Sequence, residues 1–246
     1  MMLRCSLGNP RPWWAILVIV MAVPISTVLN SAVAIAAPES SEGAASRLLL
    51  ADRVLRPDGT FVEGVAVELR DGKIKRLVPA GELKGQAVER FGPKTVLCPG
   101  LVEVFSSATL GAPALETASL VDPDASVRDG LDPSHVDLAV ALRAGITTVM
   151  VAPAARNLVC GVPVTFRTYV RDGKLDVLRD DGPLLFAFGE GVWRGDRAPT
   201  SRAGAIHELR TLVEAGKRGT GHPRVGAAIA KELDAWVVCK RANDLR

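Results

Sequence analysis

The sequence predicts an α/β protein in which a small antiparallel β domain precedes a segment of alternating strands and helices. Two patterns predict this class. Before residue 100, short β-type runs alternate with turn residues, and Asp71-Gly72 lies between two alternating apolar runs. After Phe105, a helix-type segment stops at Gly145 and is followed at once by the apolar, β-branched run Ile146–Val151, which is typical of a strand buried on both faces.

Composition and charge exclude several classes of protein. The chain has 246 residues, 48% of them hydrophobic, with four cysteines, so it is neither intrinsically disordered nor a disulfide-dense miniprotein. Setting aside Arg4 and Arg11, the only charged residues before position 37, lowers the formal charge from +3 to +1. A nearly neutral chain cannot neutralise many phosphates, so no nucleic-acid partner is expected.

The first 36 residues have the three parts of a secretory signal. Arg4 and Arg11 precede an apolar run that begins at Trp13, and the segment ends in Ala34-Ile35-Ala36. Cleavage near Ala36 would give an exported, periplasmic or extracellular protein. The alternative is an uncleaved membrane anchor formed by residues 13–29, although Pro24 and several polar side chains interrupt that run. Residues 37–46 are small and polar and indicate a flexible leader.

Residues 47–99 are predicted to form the small β domain. Turn residues separate its strands, and a Pro99-Gly100 kink lets the last apolar run leave one sheet and enter another. The predicted strands are Leu48–Val54, Gly64–Leu69, Lys73–Val78 and the kinked run Val96–Val104.

Residues 100–246 are predicted to alternate between helix and strand. Asp132 is placed to cap a helix over His135–Ala144 with Pro133 in its first turn, and this helix together with strand Ile146–Val151 makes half of a βαβ unit. The remaining predictions are strands at Val162–Thr168, Lys174–Leu178, Leu184–Phe188 and Asp234–Cys239, and helices at Ser201–Gly216 and Val225–Leu233.

The cysteines and histidines give no catalytic or metal-binding spacing. Beyond the signal, Cys98, Cys160 and Cys239 are widely spaced in apolar contexts, which favours buried thiols, with one disulfide and a leftover thiol as the alternative. The three histidines are far apart and are interpreted as structural: His135 in a first helical turn, His207 on a helix and His222 in a loop.

Two loops that follow predicted strands hold the candidate ligand-binding residues. Glu190 and Trp193 come after the strand Leu184–Phe188, and Arg156 and Asn157 come after the strand that ends at Val151. Loops at the carboxyl ends of parallel strands are where α/β proteins bind ligands. Ordinary solvated loops are the alternative interpretation of both segments.

The order of elements resembles the metal-dependent amidohydrolases, in particular their exported imidazolonepropionase-like members. The segments that carry this resemblance are Asp71-Gly72-Lys73-Ile74, the run from Val96 through Pro99-Gly100-Leu101 to Val104, and Ala144-Gly145-Ile146-Thr147-Thr148-Val149. Two later segments, 197–204 and 240–244, are also similar. The resemblance implies a small composite β-sandwich followed by a (β/α) TIM-barrel-like segment, and metal-activated water that attacks an amide-type carbon.

Two departures from that family change the expected function. The family's first barrel strand ends in a His-x-His pair that holds zinc or another divalent metal, and the corresponding residues here are Phe105 and Ser107. Residues 100–246 number 147, whereas a full (β/α)₈ barrel takes roughly 250. The barrel is therefore expected to be incomplete, with no metal cofactor and no catalytic residue in this chain.

The sequence as a whole predicts an exported amidohydrolase-like protein that is catalytically inactive or is the N-terminal piece of a longer one. Its expected partners are a second copy of itself or an active amidohydrolase paralogue, with contact to a membrane only if the N-terminal segment stays uncleaved. Two alternatives stay open. One is an active hydrolase of C–N bonds whose metal is held by other residues or by a partner chain, and the other is an exported or membrane-anchored ligand-binding module.

Overall fold

The computed structural model describes residues 2–4, 19–20, 46–107 and 116–245. Apart from two short strands, the predicted signal at 1–36 with its Cys5 lies outside the described residues, as do residues 37–45 of the predicted leader and residues 108–115. The chain divides into two compact units, one formed by Pro12–Gly100 and the other by Leu101–Arg246 together with Met1–Arg11.

The described residues form β-strands, α-helices and short 3-10 helices in the following order. The strands are β1 (Met2–Arg4), β2 (Ile19–Val20), β3 (Arg47–Leu50), β4 (Arg53–Leu55), β5 (Phe61–Glu63), β6 (Val65–Arg70), β7 (Lys73–Pro79), β8 (Val88–Arg90), β9 (Val96–Cys98), β10 (Leu101–Ser106), β11 (Ile146–Val151), β12 (Val159–Gly161), β13 (Val164–Arg171), β14 (Lys174–Arg179), β15 (Leu184–Phe188) and β16 (Ala235–Cys239). The α-helices are α1 (Val136–Arg143), α2 (Arg202–Lys217) and α3 (Pro223–Ile229), and the 3-10 helices are Ala80–Glu82, Val127–Gly130 and Ala242–Leu245.

The unit Pro12–Gly100 contains two four-stranded sheets, ordered β7-β6-β3-β8 and β2-β9-β4-β5. The hairpin predicted at Asp71-Gly72 is confirmed, because β6 and β7 pair antiparallel across these two residues and both have positive φ. The single strand predicted over Leu48–Val54 is wrong: β3 and β4 are separate and belong to different sheets. Side chains of both sheets pack in one core cluster that includes Leu49, Val54, Val67 and Leu97.

The unit that begins at Leu101 also contains two sheets, ordered β10-β11-β13-β14 and β1-β16-β15-β12. The predicted half βαβ unit is confirmed, because β10 and β11 pair in parallel with α1 between them, and five of the six residues of β11 are buried. A second parallel pair joins β15 and β16, with α2 and α3 between them. The hairpin β13–β14 intervenes, so the alternation of strand and helix is interrupted after β11.

The helices α1 and α2 lie within one residue of their predicted bounds, whereas the predicted bounds Val225–Leu233 are wrong for α3, which begins at Pro223 and ends at Ile229. The residues that cap α1 and α3 also differ from the prediction. Ser201 caps α2 by accepting a hydrogen bond from the Gly204 amide. The helix α1 is capped by His135, whose Nδ1 accepts from the Asp137 amide, while the predicted cap Asp132 instead accepts from the amide and hydroxyl of Ser134. His222, predicted to lie in a loop, caps α3 in the same manner just before Pro223.

In the chain that keeps its N-terminal segment, the strand β1 lies along the edge of β16. β1 pairs antiparallel with it in the register Met2↔Val238, Leu3↔Val237 and Arg4↔Trp236. Within the described part of the chain, no helix is long and apolar enough to cross a membrane.

Candidate functional site

A small cleft opens where β15 and β16 end. The carboxyl ends of these parallel strands lead into residues 189–193 and 240–244, and the cleft between these two segments has a volume of about 160 Å³. Two residues of the first segment, three of the second and the first residue of α2 line it: Glu190, Trp193, Arg241, Asn243, Asp244 and Arg202. Parallel α/β sheets bind ligands at this edge.

Asp244 is the fixed acidic group of the cleft. Its side chain is only 4% exposed, and its carboxylate accepts a hydrogen bond from the Arg241 amide at 3.2 Å and lies 3.7 Å from Arg202 Nε. Gly189 makes this arrangement possible, since a Cβ there would lie 2.9 Å from Asp244 Oδ2, and its φ of +139° also favours glycine. The turn after β15 is therefore shaped around the Asp244 carboxylate.

Arg202 is held in place by three groups, two from the segment 240–244 and one from β15. Besides its contact with Asp244, its Nη2 donates to the Asn243 carbonyl at 2.6 Å, and its guanidinium carbon lies 6.0 Å from the centre of the Phe188 ring. Phe188 in turn contacts Trp193 edge to face, with ring centres 5.7 Å apart. These contacts fix the guanidinium and the indole that line the cleft.

Glu190 and Arg241 form the exchangeable ion pair of the cleft. Arg241 Nη2 donates to Glu190 Oε2 at 2.5 Å, and both side chains are more than 60% exposed. An ion pair this exposed is only weakly stabilising, so water or a ligand can take the place of either partner. The cleft thus combines one anchored acid–arginine pair with one that can open.

Asn157 and Arg197 form a second polar cluster that ties neighbouring loops together. Arg197 Nη1 donates to Asn157 Oδ1 at 2.8 Å and to the carbonyls of Ser119 and Thr117, and its Nη2 donates to the carbonyls of Val192 and Arg156. Burial lowers the pKa of the Arg197 guanidinium, which nevertheless stays charged. The cluster connects three segments: residues 117–119, residues 156–157 between β11 and β12, and the residues after β15.

The structure brings two of the four sequence-predicted ligand residues into the cleft. Glu190 and Trp193 line it, whereas Arg156 is exposed and borders Gly191, where a Cβ would lie 3.9 Å from its Cγ. Asn157 is 1% exposed, and both ends of its amide are used within the protein, the Nδ2 donating to the Glu116 carbonyl at 2.6 Å. The structure therefore supports a structural role for Asn157, which connects neighbouring loops.

Sequence reasoning missed the basic and acidic residues that complete the cleft, namely Arg202, Arg241, Asn243 and Asp244. The criterion that selected Glu190, a position just after a predicted strand, also applies to Arg241, Asn243 and Asp244. These three residues follow β16, which ends at the same edge of the sheet as β15. Arg202 could not be found in this way, because it lies at the start of a predicted helix and does not follow a strand.

The residues at the end of β10 do not fit a metal. Phe105 has no donor atom, and the Ser107 hydroxyl is a poor substitute for imidazole on zinc. Among the described residues, no three His, Cys, Asp or Glu side chains come together in a group that could hold a metal ion. No step through a metal can therefore be derived for this chain.

Two thiols are buried, and two of the histidines lie outside the cleft. Cys160 and Cys239 are buried and form no disulfide, and burial raises the pKa of Cys160 to about 11. His207 is exposed on α2, and His222 Nε2 lies 2.9 Å from Asp124 Oδ2. Neither histidine lines the cleft.

Comparison with known proteins gives one clear similarity. The chain is similar to the crystal structure of an amidohydrolase from Thermotoga maritima MSB8, with a TM-score of 0.70 and 21% identity over 80% of this chain. The match spans 59% of the Thermotoga chain. At this identity the similarity shows a shared fold. No protein-family model and no curated protein matches the chain.

Proposed function

We propose that this chain is a non-hydrolytic protein with the amidohydrolase fold, which binds a small ligand in the cleft after β15 and β16. The observation that carries the proposal is the pair Phe105 and Ser107 at the end of β10, where the family that the sequence resembles has its metal-binding histidines. Without imidazole at these positions, water is not activated by the family's chemistry.

The ligand part of the proposal is supported by the construction of the cleft. Asp244 and Arg202 are held by several contacts each, and the Glu190–Arg241 pair is free to exchange. Placed polar groups fix the orientation of a bound ligand, and Trp193 adds an aromatic surface beside them.

Metal content and hydrolysis test the non-hydrolytic part. The purified chain is incubated with zinc or manganese and desalted, its metal is measured by plasma mass spectrometry, and its activity is measured on an N-acyl amino acid and a cyclic amide. We expect well under one metal ion per chain and no hydrolysis. Stoichiometric metal with hydrolysis, both lost in His207→Ala or His222→Ala, would instead establish the active C–N hydrolase with unusual ligands.

Introducing histidines tests whether the end of β10 is where the metal-binding histidines of the family would lie. The double variant Phe105→His/Ser107→His puts two imidazoles at alternate positions and is expected to retain more zinc than the original chain. Leu101→His/Glu103→His is the matched control, because it has the same spacing at the other end of the same strand. Equal zinc retention in both variants would contradict the assignment of Phe105 and Ser107.

Export is part of the same proposal and has its own test. The signal features of residues 1–36 support cleavage near Ala36, which would give a mature chain that starts at Ala37. N-terminal sequencing of the protein recovered from its native cells is expected to find that start. An intact N-terminus in the membrane fraction would support the anchor formed by residues 13–29.

A further inference from the structure

We propose that the cleft binds a small zwitterion of free amino acid type, with its carboxylate on Arg241, its ammonium on Glu190 and its side chain against Trp193. This inference rests on the proposed function in one respect, since it uses the same cleft. It adds the chemical class of the ligand, which follows from the charges, their exchangeability and the volume of the cleft.

The charges that line the cleft cancel in pairs. Two arginines and two acids line it, and each arginine has an acid next to it: Arg202 beside Asp244, and Arg241 beside Glu190. A ligand with one sign of charge has to separate an existing pair and leave one member without a partner. A ligand that carries both signs leaves every charge paired.

Only one of the two pairs can open to admit such a ligand. Asp244 is almost fully buried, and the Arg241 amide also donates to it, whereas the Glu190 and Arg241 side chains are exposed and depend on each other. A zwitterion inserted between Glu190 and Arg241 replaces one exposed ion pair with two, and its carboxylate matches the fork of the guanidinium. Arg202 stays with Asp244 when the other pair opens, because its Nε lies 3.7 Å from that carboxylate and its Nη2 donates to the Asn243 carbonyl.

The volume of the cleft and the indole of Trp193 restrict the chemical class of the ligand further. The cleft measures about 160 Å³, below the roughly 300–1,000 Å³ of sites for drug-sized ligands. Trp193, held by its edge-to-face contact with Phe188, offers an apolar surface beside the charged groups. A free amino acid with an apolar side chain meets both conditions.

Calorimetric titration of the full chain with four probes tests the class of ligand. The probes are L-phenylalanine, L-phenylalaninamide without the carboxylate, N-acetyl-L-phenylalanine without the ammonium, and inorganic phosphate. We expect L-phenylalanine to bind and each of the other three to bind about tenfold more weakly or not at all. Equal affinity for L-phenylalanine and either of its two derivatives would overturn the proposal.

Substitutions in the cleft assign the two ends of the ligand. Arg241→Met is expected to weaken L-phenylalanine binding by about tenfold. Glu190→Gln is expected to remove the preference for L-phenylalanine over its N-acetyl derivative. The matched controls Arg210→Met and Glu208→Gln change exposed residues of α2 that do not line the cleft and should leave binding as it was.

The outcomes separate this inference from the proposed function. Unchanged binding in Arg241→Met, or no binding of L-phenylalanine at millimolar concentration by a chain with a native circular dichroism spectrum, overturns the inference. Phosphate binding that Arg241→Met abolishes, without zwitterion binding, also overturns it and leaves the proposed function standing. Metal-dependent hydrolysis would overturn the proposed function without altering the expected preference among probes.

Discussion

One half-buried arginine determines how the loops after β11 and β15 are held together. Arg197 makes five hydrogen bonds, to one side-chain oxygen and four carbonyls on three separate segments. Because only a planar guanidinium offers so many donors at fixed angles, neither lysine nor an apolar residue can replace it. The loop arrangement thus depends on one residue that itself lies outside the cleft.

Replacing Arg197 should therefore destabilise the unit that begins at Leu101. Arg197→Met leaves several acceptors without a donor, and we expect a loss of about 2 kcal/mol in the free energy of unfolding, measured by urea denaturation with circular dichroism. The control is Arg194→Met in the same loop, whose side chain pairs with the exposed Asp196 and should cost about 1 kcal/mol or less. Equal losses in the two variants would show that Arg197 has no special role.

The thiol of Cys160 provides a second prediction about a single residue. Burial raises its pKa to about 11, so at pH 8 almost none of it is thiolate, the form that reacts with alkylating agents. We expect iodoacetamide at pH 8 to leave Cys160 unmodified in the native chain and to modify it in urea, as measured by peptide mass spectrometry. Rapid labelling of the native chain would mean that this thiol is accessible and activated.

Cross-strand pairs act at the level of the secondary-structure element, and Glu68 with Arg76 is the clearest example. The two residues lie opposite each other on β6 and β7, and Arg76 Nε donates to Glu68 Oε2 at 2.7 Å. This hydrogen bond, with a further one from Ser46, lowers the pKa of Glu68 below its ordinary value of 4.5. The folded chain therefore favours the ionised carboxylate more than the unfolded chain does.

This pair should make the stability of the Pro12–Gly100 unit depend on pH. A carboxylate whose pKa is lowered on folding contributes stability above the unfolded value of 4.5, and that contribution is lost as the pH falls through the folded value. Glu68→Gln should reduce the loss of thermal stability between pH 6 and pH 3, measured by circular dichroism. Glu63→Gln, on β5 of the other sheet, is the control. An identical pH dependence in both variants would contradict the role of Glu68.

Elements were predictable from sequence where local chemistry decides them. The Asp71-Gly72 turn, the buried strand β11 and the helix α2 after Ser201 all have strong local signals. The cap at His135 was not predictable in this way, because Asp132 and Pro133 offered a stronger start signal that the chain uses for a turn instead. The cap at His222 was not predictable either, because histidine is not one of the residues that usually cap helices.

The residues of the cleft could be predicted from the sequence only in part. Glu190 and Trp193 could be selected because they follow a strand, but the pairing of Glu190 with Arg241 joins residues 51 positions apart. Asn157 met the same sequence criterion and is buried, since Arg197 and the Glu116 carbonyl use its amide. Which residue after a strand faces a ligand depends on partners that lie far away in sequence.

At the level of the whole molecule, the strand β1 connects the proposed export to assembly. It covers the edge of β16 through residues Met2–Arg4, which belong to the predicted signal. Cleavage near Ala36 would remove these residues and leave β16 with β15 as its only neighbour in that sheet order. A mature chain would then have an additional sheet edge available for pairing.

The strand β10 gives a more direct reason to expect self-association. It lies at the edge of its sheet, and Leu101, Val102 and Val104 are each at least half exposed, with Phe105 beside them. Proteins usually protect such edges with charged residues, and β7, the edge strand of another sheet, carries Lys73, Lys75 and Arg76. β10 has Glu103 as its only charged residue.

We therefore expect the purified chain to form dimers or larger assemblies through β10, as measured by size-exclusion chromatography with light scattering. Val104→Lys places a charge on the exposed edge and should shift the population toward monomer. Ile74→Lys is the matched control, because it also replaces an exposed apolar residue on an edge strand, but on one that already carries three basic side chains. A chain that stays monomeric up to high concentration would contradict the expectation. An equal shift in both variants would instead place the association outside β10.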